Sequence, residues 1–175
     1  MKTKKVILFC LLVSAYGFAS GQVKKKAGPP LPINHEGTHA VSNTSKSIIF
    51  NKLLSSEQKL VDRKESSILV ADSIKGILSV KRTAKCSFMA DTTFNGKVLK
   101  KAVTKTIPYN YVIYFNVGDN IFTHKIADFT TKEGKAILKN DQKNGELSSC
   151  AEGEIWSIND KIIAESVLMK MKTLK

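Results

Sequence analysis

The pentapeptide His35-Glu36-Gly37-Thr38-His39 has the spacing H-E-x-x-H. On a helix, residues four apart share a face. Two imidazoles can then bind one Zn²⁺ while the glutamate between them acts as general base on the metal-bound water. A third ligand would have to be a downstream carboxylate, for which Glu57 and Glu65 are the candidates. His124 is the remaining histidine and is expected on a strand face between Thr123 and Lys125. His35 and His39 are therefore the candidate metal ligands.

Over these five residues the chain resembles the zincin metalloproteases. That resemblance implies a small zinc-dependent hydrolase working through His35, Glu36 and His39. The surrounding residues point elsewhere. Gly37 sits at the centre of the motif and Pro32 just upstream, and both disfavour the helix it needs. Ser42 stands where the extended form of the motif has glycine. There is no nucleophile elbow, Walker loop or dinucleotide fingerprint. The sequence thus reads as a non-enzymatic binding module with no cofactor, and the zinc hydrolase is the alternative.

The elements that would hold such a module start with a leader. Lys2, Lys4 and Lys5 precede an apolar run from Val6 to Val13, and small residues follow at Ala19, Ser20 and Gly21. This is the plan of a secretory signal peptide over residues 1–21. It predicts a secreted or periplasmic protein. No later apolar run reaches the ~18 residues of a membrane span. Cys10 falls in the leader, so Cys86 and Cys150 remain. An even pair in an exported chain predicts one disulfide, closing a loop of about 65 residues and stabilising the fold by roughly 4 kcal/mol.

The formal charge is +13, and +10 remains once Lys2, Lys4 and Lys5 are removed. Such a chain attracts an anionic surface, a polysaccharide or an acidic protein. Export argues against nucleic acid as a natural target.

Residues 22–45 hold Lys24, Lys25, Lys26 and three of the four prolines, and read as a flexible basic tail. Asn43-Thr44-Ser45 is a glycosylation sequon. Residues 46–175 read as a single helix-plus-antiparallel-β domain. Ile49, Phe50, Leu53, Leu54, Leu60 and Val61 place a helix within 48–64. Tyr111, Ile113 and Phe115 fall on one face of an aromatic strand, opposite Tyr114.

Asn95-Gly96 predicts a hairpin turn, with Asp91 opposite Lys100 and Phe88 opposite Val103. Further turns are expected at Gly118-Asp119, Asn144-Gly145 and Asn159-Asp160, the last between strands at 154–158 and 161–169. The expected class is mainly β (α+β): an antiparallel sheet, sandwich or small barrel of about 7–8 strands with one N-terminal helix.

Overall fold

The structure is a computed structural model that describes residues 28–94, 97–141 and 145–172, with side chains omitted over 92–101 and 170–172. The leader expected at 1–21 and the turn expected at Asn95-Gly96 lie outside the described residues, as do Lys24, Lys25, Lys26 and Asn144. Seven strands are present among the described residues: β1 (Leu31–Pro32), β2 (His35–Ala40), β3 (Ser66–Asp72), β4 (Ile77–Phe94), β5 (Lys97–Gly118), β6 (Ile121–Thr131) and β7 (Leu138–Lys139). Two described helices accompany them: α1 (Lys46–Asp62) and α2 (Gly145–Lys172).

The main sheet has five antiparallel strands in the order β2-β6-β5-β4-β3, while β1 and β7 pair separately. It is a single open sheet, not a sandwich or barrel. Both helices cover one face of it. Period-2 alternation supplies that face: Leu78 and Val80 from β4, Tyr109, Tyr111, Ile113, Phe115 and Val117 from β5, Phe122, Ile126 and Phe129 from β6, all buried. The helices add Ile49, Phe50 and Leu53 from α1 and Leu147, Ala151, Ile155, Ile158, Ile162 and Met169 from α2.

Three expectations are corrected. The stretch read as a flexible tail enters the fold at Leu31, because β2 forms an edge strand on β6 with register His35↔Ile126 through Ala40↔Ile121. The C-terminal strands and their Asn159-Asp160 turn are instead the long helix α2, and Gly145 begins that helix rather than closing a hairpin. Its buried residues at 147, 151, 155, 158 and 162 are spaced three and four apart, which only a helix brings to one face. The one N-terminal helix expected is thus joined by a longer C-terminal one.

The hairpin register differs as well. Phe94 pairs with Lys97 as expected, but Thr92 pairs with Lys100 and Ala90 with Val103, so Phe88 meets Lys105. Two irregularities each add one residue to β5. Ala102 takes a φ of 52° there, and its N–H donates to Asp91 Oδ1 at 3.1 Å.

Cys86 and Cys150 are joined as a disulfide with Cα atoms 5.7 Å apart. Cys150 lies on α2. The bond therefore ties β4 to that helix.

Candidate functional site

In an extended strand successive side chains alternate between faces. β2 accordingly turns His35, Gly37 and His39 towards the helices and Glu36 and Thr38 away from them. Across the ladder Gly37 pairs with His124 of β6, so all three histidines of the chain meet on the covered face. His39 Nε2 lies 3.0 Å from His124 Nδ1, and the two rings stack at 5.0 Å. The His35 ring is 5.7 Å from that of His124 and 6.1 Å from Trp156, and its Nε2 lies 3.3 Å from Asn159 Oδ1 on α2.

His124 is only 2% exposed, and its Nε2 has no hydrogen-bond partner among the described residues. Burial, then the neighbouring His39 and His35, push its pKa down to about 4. The imidazole is neutral at physiological pH.

This geometry removes the protease reading. Residues four apart on a strand are separated by about 13 Å, not stacked one turn apart. Glu36 points to the opposite face, where Lys125 Nζ holds its Oε1 at 2.8 Å and lowers its pKa through hydrogen bond and charge. Glu57 is held by Arg82 of β4, and Glu65 precedes β3, the edge of the sheet remote from β2. Among the described residues, no group of three or more His, Cys, Asp or Glu could hold a metal ion.

A second polar cluster, which sequence reasoning missed, lies between the helices. Arg82 projects from β4 onto the covered face and holds the Glu57 carboxylate of α1 through Nε, at 3.2 Å, and Nη2. Tyr111 donates its hydroxyl to Glu154 Oε1 of α2 at 3.0 Å. Burial, then Glu154, raise the Tyr111 pKa. Burial opposes the Arg82 charge, but the hydrogen bond and charge of Glu57 outweigh it. These groups wall a cleft of about 540 Å³ between α1 and α2. The available signal was a lone arginine in the alternating run Leu78, Val80, Arg82, Ala84, Cys86.

No helix among the described residues covers the other face of the sheet. Lys81 pairs across β4 and β5 with Val112, Thr83 with Asn110 and Lys85 with Pro108. Lys81, Thr83 and Lys85 are exposed there, and Thr83 donates to Asn110 Oδ1 at 2.9 Å. Beside them lies a shallow hollow of about 580 Å³, bordered by Thr38, Tyr114, Asn116, Thr123 and Lys125. Tyr114 donates its hydroxyl to Asp128, a bond that raises the tyrosine pKa.

Among the described residues, a five-stranded antiparallel sheet with two helices on one face and exposed polar side chains on the other defines an α+β domain. No family model matches the sequence, and no curated protein matches it. Two solved structures share the fold. A DUF4468 family protein from Bacteroides ovatus ATCC 8483 superposes with a TM-score of 0.55 at 13% identity, over 79% of this chain and 86% of that one. A TBP-like protein from Parabacteroides distasonis ATCC 8503 gives 0.51 at 17% identity, over 80% of this chain and 93% of that one. At such identities the likeness is one of fold alone.

Proposed function

We propose that this is an exported, non-enzymatic binding domain whose uncovered sheet face takes an anionic polymer, with an acidic polysaccharide as the partner class. The observation that carries this reading is the row of exposed Lys81 and Lys85 among hydroxyl and amide side chains on a face that no described helix covers. Lys125 on the same face is already neutralised by Glu36, whereas no carboxylate pairs with Lys81 or Lys85 among the described residues. The leader at residues 1–21 and the Cys86–Cys150 disulfide support export. A rigid sheet presenting repeated donors suits an extended polyanion, for which specificity comes from spacing and affinity from charge.

The test is retention on immobilised heparin, used as a model acidic polysaccharide, across a salt gradient. The Lys81→Glu, Lys85→Glu double variant should elute at clearly lower salt than the wild type. Retention that is insensitive to salt, or identical for the two proteins, would overturn the reading.

A further inference from the structure

The hollow on the uncovered sheet face is built from two transverse rows of side chains. One row runs from β4 to β2 through the pairs Ser79↔Tyr114, Tyr114↔Lys125 and Lys125↔Glu36. The next runs through Ile77↔Asn116, Asn116↔Thr123 and Thr123↔Thr38. Period-2 alternation sends all eight to one face, and all eight border the hollow of about 580 Å³. That volume falls within the roughly 300–1,000 Å³ of small-molecule sites. Neighbours in the grid stand about 5 Å apart across the strands and about 7 Å apart along them, so side chains of both rows converge on one small ring.

We infer that this hollow holds one neutral pyranose unit of a saccharide. Local charge selects the class. Lys125 and Glu36 are the charged residues that border the hollow, and they pair with each other at 2.8 Å. Neither an anion nor a cation is matched by what remains. Those remaining polar groups are the hydroxyls of Ser79, Thr38 and Thr123 and the amide of Asn116. None of the four side chains makes a hydrogen bond among the described residues. Each of them can both donate and accept. A sugar hydroxyl does the same, whereas a carboxylate only accepts and an ammonium only donates.

Ser79 is the sharpest of these, because it is only 5% exposed and yet borders the hollow. A hydroxyl that deep normally has a partner within the protein. Apolar surface lies beside the polar groups: the Tyr114 ring is 37% exposed and Ile77 is 39% exposed. The bond from the Tyr114 hydroxyl to Asp128 holds that ring in place. A pyranose offers the matching pair of surfaces, a C–H face for the aromatic ring and a rim of hydroxyls for Ser79, Asn116 and the threonines. Lys81 and Lys85 do not border the hollow, so the polyanion reading can fail without this one.

The full protein is applied to immobilised neutral glycans of glucose, galactose, mannose and xylose. The buffer holds about 0.5 M sodium chloride, which screens the lysine row. Binding to at least one glycan is expected, with competition by the free sugar of the same kind. The Asn116→Ala, Thr123→Val double variant should bind at least about tenfold more weakly. Both positions are exposed, so its circular dichroism should match the wild type. The inference is overturned by no binding to any neutral glycan, or by a folded double variant that binds as the wild type. It is equally overturned by binding confined to carboxylated or sulfated glycans and lost at this salt, which would leave the lysine row as the site.

Discussion

The ring of His124 lies over the backbone of Gly37. A Cβ built on that glycine would stand 2.5 Å from His124 Cε1. The glycine inside the H-E-x-x-H pentapeptide is therefore a space requirement of its strand partner. Gly37→Ala should destabilise the protein by about 1–3 kcal/mol in urea unfolding. In a His124→Ala background the same substitution should cost clearly less, because the clashing ring is gone. Additive effects would refute the relationship.

Acid should loosen the same region. The folded pKa of His124 is depressed to about 4, against about 6.5 in an unfolded chain. Its contribution is therefore fully present above pH 6.5 and lost as pH falls from 6.5 towards 4, on the order of 3 kcal/mol in all. His39 and His35 are the titratable groups that face it, and Phe122 stacks on His39 from β6. Urea midpoints at neutral pH and near pH 4.5 should differ strongly in the wild type and much less in His124→Phe.

The Arg82–Glu57 pair should behave as a buried unit. Arg82→Met alone leaves the Glu57 carboxylate, in a side chain 4% exposed, without its counter-ion. A loss of about 3–5 kcal/mol follows. Adding Glu57→Leu should recover much of it, measured as thermal midpoints of the single and double variants. A single variant as stable as the wild type would show that Glu57 finds another partner.

Reduction of Cys86–Cys150 releases a loop with 64 residues of separation. The cost should be about 4 kcal/mol, seen as a lower urea midpoint in reductant. Cys86 has no exposed surface, so reduction of the native protein should also be slow compared with reduction in urea.

The sequence exposes those elements whose signal is local. Ile49, Phe50 and Leu53 announce α1 by spacing, and all three are buried. Tyr111, Ile113 and Phe115 announce the inner face of β5 by alternation, and all three are buried as well. What was illegible depends on distant partners. β2 is a strand because β6 accepts it, with His39 and His124 separated by 85 positions. The prolines before it and its own glycine look like tail until His124 is known to lie above Gly37. α2 contains Ile155, Ile158, Ile162 and Ile163 around Asn159-Asp160, which reads locally as two strands and a turn. Burial against the sheet decides for the helix. The Arg82–Glu57 pair joins a strand to a helix 25 positions away, and neither residue carries a local sign of the other.

The disulfide changes what kind of object the chain is. Residues 86–150 form a closed covalent ring that contains β5, β6 and β7, with the segments before and after attached as two arms. A protease that cuts the exposed turn at residues 132–136 opens the ring without dividing the molecule. The nicked protein runs as one species until a reductant separates its two halves. A break in the backbone there is then not yet a loss of the fold.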